Sequence, residues 1–255
     1  MTDLPPLTLV LCATPRTGST LLCALLASTG VAGRPESWFR AEDRAEYALD
    51  WSVPRDASGR IDSAAYLAAA RRAGQTPNGI CGLRLQAPTL PEFLAELAAL
   101  DPRPARDSDR LRRAFGPCRY VWCRRRDDVA QAISRLKAEV SQVWHLDGTE
   151  PDRPVARARY DATRIDRFRA EAAAGNALWA RWFPDQGIEP FVVDYEDFTE
   201  DPPAHVRRLL AWAGIVLPPG TPIAAPNRRM ADSESTDWAA RYRAERGLGG
   251  APHAI

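Results

Sequence analysis

The stretch Leu7–Leu26, LTLVLCATPRTGSTLLCALL, decides how this chain folds. It begins with an apolar run, breaks into a loop at 13–20, and returns to apolar residues at helical spacing. This pattern predicts a buried strand, a tight turn and the first turns of a helix. Free backbone N–H groups at a helix start, together with a glycine, hydroxyl groups and Arg16, attract a phosphate-like anion.

The loop differs from two other phosphate-binding loops. A Walker A loop has a glycine, four residues and then Gly-Lys-Ser/Thr, but here Ala13 and Ser19 occupy the first glycine and the lysine positions. A cysteine phosphatase loop does not fit either, because Cys12 lies too close to Arg16. An ordinary strand-to-helix turn, capped by Thr17 or Ser19, is the alternative interpretation.

Length and composition limit the class of protein. The chain has 255 residues, enough for one α/β core, and we expect a single domain over 1–255. Its net charge of +1 gives no overall attraction to nucleic acid. Five cysteines, most of them in apolar runs, indicate buried thiols in a reducing cytoplasm. No apolar stretch reaches the about 18 residues of a membrane helix, so we expect a cytoplasmic protein without a membrane span.

Strand and helix patterns alternate along the chain. Apolar runs predict strands at 80–85, 119–123 and 191–195, and helical spacing predicts helices near 64–73, 90–100, 127–143, 155–182, 204–213 and 235–246. The charged, proline-interrupted segment 101–113 is expected to be a mobile excursion. The alternation predicts an α/β fold with a P-loop-like, doubly wound parallel sheet flanked by helices. Ligands bind such sheets beyond the carboxyl ends of the strands, where the Arg16 loop lies.

Seven segments form an ordered pattern over nearly the whole chain: ATPRTGSTLL (13–22), TGVAGRPESWF (29–39), TPNGICGLRL (76–85), CRRRDDVAQAIS (123–134), QVWH (142–145), DYEDF (194–198) and RRMADSESTDWAARYR (228–243). The pattern resembles the sulfotransferases that use 3′-phosphoadenosine 5′-phosphosulfate (PAPS), more specifically the bacterial trehalose 2-sulfotransferase family. The resemblance implies the sulfotransferase fold and transfer of a sulfuryl group from PAPS to a hydroxyl of a small acceptor. The acceptor is open: a sugar, a glycolipid precursor or a hydroxylated secondary metabolite.

The resemblance also implies which residues bind PAPS, or its product adenosine 3′,5′-bisphosphate. The 5′-phosphosulfate would contact Arg16, Thr17, Gly18, Ser19 and Thr20. Arg125 and Ser134 would bind the 3′-phosphate, with Arg126 as the competing arginine and Arg229 as a further candidate. A guanidinium suits phosphate because it donates two parallel hydrogen bonds. The alternative for the arginine pair is a solvated face. No metal is expected, because fixed amides and guanidinium groups take that role.

The acceptor side departs from the family pattern. The family carries Pro-x-Glu and two aromatic residues, with that glutamate as the base, whereas this chain has Ser37 there and Glu36 one residue earlier. A carboxylate or a histidine can take the proton of an acceptor hydroxyl. Glu36 is therefore the candidate base and His145 the second choice; a base elsewhere, or an acceptor acidic enough to need none, are the alternatives. Arg16 is the candidate for stabilising the leaving group.

Four residues are candidates for contact with the acceptor. They are Ser37, Trp38, Phe39 and Arg84. Arg84 stands where the family has a lysine, and its alternative is a surface arginine at a strand end; the aromatic pair has core packing as its alternative. Two other function classes stay open at this point, a P-loop phosphotransferase and a non-catalytic nucleotide-binding module. The family resemblance also implies a homodimer.

Overall fold

Four parallel strands form the centre of the protein in the order β2-β1-β3-β4. They are β1 Thr8–Ala13, β2 Cys81–Gln86, β3 Cys118–Arg124 and β4 Phe191–Asp194. The structure is a computed structural model that describes residues 4–142, 156–224 and 233–249. All of β1 is buried, because it has a neighbour on each side and helices over both faces. Its apolar run without alternation is typical of such a strand.

The helices lie between the strands and after them. They are α1 Ser19–Ser28, α2 Arg44–Asp50, α3 Ser63–Ala73, α4 Leu90–Leu100, α5 Asp107–Phe115, α6 Asp128–Ser141, α7 Ala162–Gln186, α8 Tyr195–Phe198, α9 Pro202–Ala213 and α10 Ser233–Glu245. A short 3-10 turn, Ala87–Thr89, joins β2 to α4. Five predicted helices are therefore confirmed: those near 64–73, 90–100, 127–143, 204–213 and 235–246.

Each face of the sheet has its own apolar core. Leu9 and Leu11 of β1 pack with side chains of α1 and α9. Val10 and Cys12 point to the opposite face and pack with α4, α5 and α7, because successive strand side chains alternate between faces. The parallel sheet is thus doubly wound, which confirms the predicted fold class.

Two regions differ from what the sequence pattern suggested. The segment 101–113, expected to be mobile, contains most of α5. Leu111 and Phe115 lie four residues apart on one face of this helix and are buried in the core beside Trp182. The second difference is α2, which the pattern did not predict. The helix expected over 155–182 begins at Ala162 in the described part of the chain.

The strand order sets where a ligand can enter. After β1 the chain forms β2 on one side of β1. The strand β3 lies on the other side of β1, and after it the chain forms β4 still farther from β1. The connections at the carboxyl ends of β1 and β3 therefore diverge and leave a crevice between them. The loop 14–18 and the start of α6 border this crevice.

Candidate active site

The loop 14–18 joins β1 to α1 through two left-handed residues. Arg16 has a φ of 71° and Gly18 a φ of 77°. A Cβ at position 18 would lie 2.7 Å from Cδ2 of Tyr195, so glycine is required by space as well as by conformation. The Thr17 hydroxyl donates to the carbonyl of Thr14 at 2.9 Å rather than capping α1. The Gly18 cap offers no side-chain acceptor, so the first N–H groups of α1 have no acceptor within the helix and are available to an anion at the loop.

Arginine side chains converge on this loop from a second motif. Nε of Arg16 donates to Oγ of Ser134 on α6 at 2.9 Å. Nη1 of Arg125, just after β3, donates to the carbonyl of Arg16 at 3.3 Å. Burial, and then the positive charges of Arg125 and Arg135, lower the pKa of Arg16 to about 10. The guanidinium groups of Arg16, Arg125 and Arg135 lie close together, so this partly buried region has a positive potential that attracts a ligand with several negative charges.

The two arginines that compete in the sequence, Arg125 and Arg126, have different surroundings. Arg125 turns toward the loop and its guanidinium lies 4.3 Å from the centre of the Tyr195 ring. Arg126 is exposed, forms an ion pair with Asp197, and its backbone N–H donates to Glu196 at 3.1 Å. These contacts turn Arg126 toward α8, and they leave Arg125 as the arginine that meets the loop.

The predicted acceptor side contains one buried arginine at its centre. Arg84, at the end of β2, is only 9% exposed, so it is not the surface arginine of the alternative interpretation. Its Nε donates to Oγ of Ser37 at 2.8 Å, its Nη1 donates to Oγ1 of Thr20 at 2.7 Å, and its Nη2 pairs with the Glu36 carboxylate. All three donor nitrogens of Arg84 therefore bind protein groups, and both Arg84 and Ser37 are buried beneath the surface of the predicted site. Their contact with an acceptor stays a prediction.

The two aromatic residues predicted to contact the acceptor, Trp38 and Phe39, pack against other aromatic side chains of the protein. Phe39 lies 4.5 Å from the Phe93 ring and 5.7 Å from the Tyr66 ring, centre to centre. Trp38 contacts Trp51, and its Nε1 donates to the carbonyl of Gly82 at 3.3 Å. These contacts support a packing role, while a role in acceptor binding stays a prediction.

Two sequence-predicted residues lie outside the described residues. They are His145, the second choice for the base, and Arg229, the further candidate for the 3′-phosphate. In the described ranges 4–142, 156–224 and 233–249, no group of three or more His, Cys, Asp or Glu side chains is arranged to hold a metal ion. None of the helices in these ranges combines the length and the apolar character needed to cross a membrane.

Three side chains hold the loop from outside without having been predicted. Nε2 of Gln131 donates to the carbonyl of Pro15 at 2.7 Å, and Nε1 of Trp179 donates to the carbonyl of Ala13 at 3.0 Å. Asn176 accepts from Thr14 at 2.7 Å. Gln131 lies within the motif 123–134 and was detectable there. On α7 the signals were its tryptophans, Trp179 among them, and a glycine inside a helical pattern at position 175.

Comparison with solved structures places this fold among sulfotransferases. A sulfotransferase from Alicyclobacillus acidocaldarius aligns over 97% of each chain with a TM-score of 0.50, at 14% sequence identity. This likeness concerns the fold. The family model described as Stf0 sulphotransferase matches residues 8–245, and the chain belongs to that family. The class of the protein is therefore a sulfotransferase, an enzyme that moves a sulfuryl group from a donor nucleotide to a small acceptor.

Two relatives support the same assignment. The trehalose 2-sulfotransferase of Mycolicibacterium smegmatis is 33% identical over an alignment of 285 positions, gaps included, that spans 99% of this chain and all of that protein. The trehalose 2-sulfotransferase of Mycobacterium tuberculosis is 30% identical over 263 alignment positions, gaps included, spanning 91% of this chain and 93% of that protein. The predicted sulfuryl transfer is thus confirmed, and neither the phosphotransferase nor the non-catalytic interpretation is favoured.

Proposed function

We propose that the donor is PAPS and that the loop and the start of α6 bind it together. Arg16 and its neighbours Thr17, Gly18, Ser19 and Thr20 bind the 5′-phosphosulfate, and Arg125 and Ser134 bind the 3′-phosphate. The observation that carries this proposal is the 2.9 Å hydrogen bond from Arg16 to Ser134, which are 118 residues apart in sequence. It joins the two groups of residues that the sequence pattern assigns to the two ends of one nucleotide.

The positive charge of this pocket matches the proposed donor. PAPS supplies a sulfuryl group on a phosphate leaving group, together with a separate 3′-phosphate. The α1 amides and Arg16 stabilise the negative charge that grows on the 5′-phosphate oxygen as its bond to sulfur breaks. Loss of one such positioned donor typically costs about 2.7–4 kcal/mol of transition-state stabilisation.

We infer that Glu36 is the general base. Its carboxylate is held by Arg84, and Arg84 also donates to the Thr20 hydroxyl at the start of α1. This chain of contacts supports a position for Glu36 beside the sulfuryl end of the donor. The carboxylate takes the proton of the acceptor hydroxyl as the hydroxyl oxygen forms its bond to sulfur, and the charge passes to the leaving phosphate. Arg84 then positions the Glu36 carboxylate.

The acceptor we propose is a sugar, with trehalose as the first one to test. Two relatives named trehalose 2-sulfotransferase align with nearly the whole chain. Purified protein incubated with PAPS and trehalose is expected to give a monosulfated disaccharide, detected by mass spectrometry. Sulfation of a hydroxyl compound that is not a sugar, with none on trehalose or on other sugars in a mixed panel, would retain the sulfotransferase but reject a sugar acceptor.

The donor site is tested by calorimetric titration with adenosine 3′,5′-bisphosphate. We expect Arg125→Ala to weaken binding by about ten- to hundredfold, as for loss of a hydrogen-bonded charge. Arg126→Ala is the matched control and is expected to bind like the wild type, because Asp197 holds that arginine away from the loop.

Two further titrations separate the donor from its alternatives. The loss in Arg125→Ala should disappear with 5′-AMP, which has no 3′-phosphate to contact. Preference of the wild type for ATP with Mg²⁺ over the bisphosphate would reject the PAPS assignment.

We also propose that the protein is cytoplasmic and forms a homodimer. The location follows from the cysteine usage, with buried thiols at Cys12, Cys23, Cys81 and Cys123. The dimer rests on the family resemblance alone. Analytical ultracentrifugation at micromolar concentration distinguishes the dimer from a monomer.

A further inference from the structure

The middle of α7 contacts the end of β1 and the start of the loop 14–18, the donor loop, through residues on two successive turns. The Thr14 hydroxyl, on a residue only 2% exposed, donates to Oδ1 of Asn176 at 2.7 Å. One turn later, Trp179 donates to the carbonyl of Ala13. No motif in the sequence points to Asn176, and it lies 162 residues from its partner.

Gly175 explains how the helix comes this close. A Cβ at this position would lie 2.9 Å from Cγ2 of Thr14 and 3.1 Å from Cβ of Ala87. Glycine inside a helix is destabilising relative to alanine, so a glycine here trades helix stability for contact with the loop. The neighbouring Asn176 then reaches the Thr14 hydroxyl.

The loop needs such support because its conformation is strained. Arg16 is a non-glycine residue with a φ of 71°, a conformation that persists only where the surroundings hold it. Thr14 is the fixed point on the strand side: its hydroxyl is bound by Asn176, and its carbonyl accepts the hydroxyl of Thr17 at 2.9 Å. The contacts thus run from Asn176 to Thr14 and from Thr14 to Thr17, which is the first contact with the proposed anion-binding residues.

We propose that Asn176 is a positioning residue of the donor site: its carboxamide fixes Thr14 and thereby keeps the loop in the conformation that binds the nucleotide phosphates. The proposal rests on the proposed function, because it takes the loop as the place where the 5′-phosphate of the donor binds. Asn176 acts through Thr14 and need not touch the nucleotide. Part of the binding free energy of every donor nucleotide then depends on a helix outside the donor motifs.

A double-mutant cycle tests this coupling. Affinity for adenosine 3′,5′-bisphosphate is measured by calorimetry for Asn176→Ala, Thr14→Val and the double variant, with the thermal unfolding midpoint of each. Both single variants are expected to bind about fivefold more weakly, the effect of one lost neutral hydrogen bond. The double variant should lose no more than either one, because both substitutions remove the same interaction.

Gln186→Ala is the matched control. It also removes a carboxamide from α7, one that accepts from the backbone N–H of Ser108 at 3.1 Å, far along the helix from the loop. It is expected to lower the unfolding midpoint without changing affinity. Thr14→Ser keeps the hydroxyl and should bind like the wild type. If Asn176→Ala does not fold, the comparison of Thr14→Val with Thr14→Ser carries the test.

Wild-type affinity in Asn176→Ala, or losses that multiply in the double variant, would overturn the positioning role while leaving the donor site intact. If the wild type itself does not bind the bisphosphate, the proposed donor site fails and this inference falls with it. A loss in Gln186→Ala equal to that in Asn176→Ala would mean that both act only through the stability of α7, and would also overturn the proposal.

Discussion

At the scale of single residues, the site is arranged around charges that burial makes costly. A guanidinium as buried as that of Arg84 destabilises a fold unless each of its nitrogens has a partner. Glu36, Ser37 and Thr20 supply those partners. Ser37, which stands where the family resemblance implies a glutamate, therefore binds Arg84, and the carboxylate proposed as the base belongs to Glu36 one residue earlier.

This arrangement predicts that Glu36→Gln removes catalysis and spares donor binding. The amide keeps the size and one acceptor oxygen but cannot take a proton, so kcat should fall by about a hundredfold or more, the range of general-base catalysis. Affinity for adenosine 3′,5′-bisphosphate should not change. The measurement is steady-state kinetics with PAPS and the acceptor, beside Glu42→Gln as an exposed control. An unaltered kcat in Glu36→Gln would assign the base to another group.

At the scale of elements, the sequence predicts strands, loops and helices whose signals lie in one continuous stretch. It does not predict contacts between residues that are distant in sequence. The strand, loop and helix of 8–28 were predictable because all the signals lie within one stretch. Helix α5 was missed because charges dominate it and only Leu111 and Phe115 mark its buried face. The contact of Asn176 with Thr14 was not predictable, because a helical pattern does not reveal which loop will pack against it. The contacts of Arg84 with Glu36, Ser37 and Thr20 were not predictable for the same reason, because these residues are distant in sequence.

Helix α10 shows how one such distant element is held. Tyr242 and Ala239 pack against α6 and α7, and Arg246 donates to Asp166 of α7 at 2.6 Å. The hydrogen bond from Arg246, followed by the one from Tyr242, lowers the pKa of Asp166 to about 2. This carboxylate therefore binds fewer protons in the folded chain than in the unfolded chain near pH 3.

The expected result is a pH-dependent contribution from Asp166. Since its folded pKa lies below the unfolded value, its stabilisation is present above about pH 4 and is lost as the pH falls toward 2. Asp166→Asn should lower the free energy of unfolding at pH 6 by at most about 1 kcal/mol, because the pair is largely exposed to solvent. The difference from the wild type, measured by urea unfolding, should shrink at pH 3.

Asp185→Asn, an exposed change near the other end of α7, is the control. A difference for Asp166→Asn that grows on acidification would contradict the assigned direction of the pKa shift.

At the scale of the whole molecule, the proposed donor site connects three separate strand–helix units. The loop belongs to β1 and α1, Arg125 and Ser134 to β3 and α6, and Tyr195, which meets both Gly18 and Arg125, to β4 and α8. A nucleotide bound across these units stabilises only the folded chain, in which they are adjacent. Binding must therefore appear as stability of the entire fold, independent of any acceptor or turnover.

Thermal unfolding measures this linkage. At a concentration of adenosine 3′,5′-bisphosphate about 100 times its Kd, the folded state gains about 2.7 kcal/mol, which raises Tm by roughly 5–10 °C for a chain of this length. Arg16→Ala should lose the shift, whereas Glu36→Gln should retain it in full because it acts on the acceptor proton. An equal shift in Arg16→Ala would place the nucleotide elsewhere. A shift lost in Glu36→Gln would mean that donor and acceptor sites are one energetic unit, joined through Arg84 and Thr20.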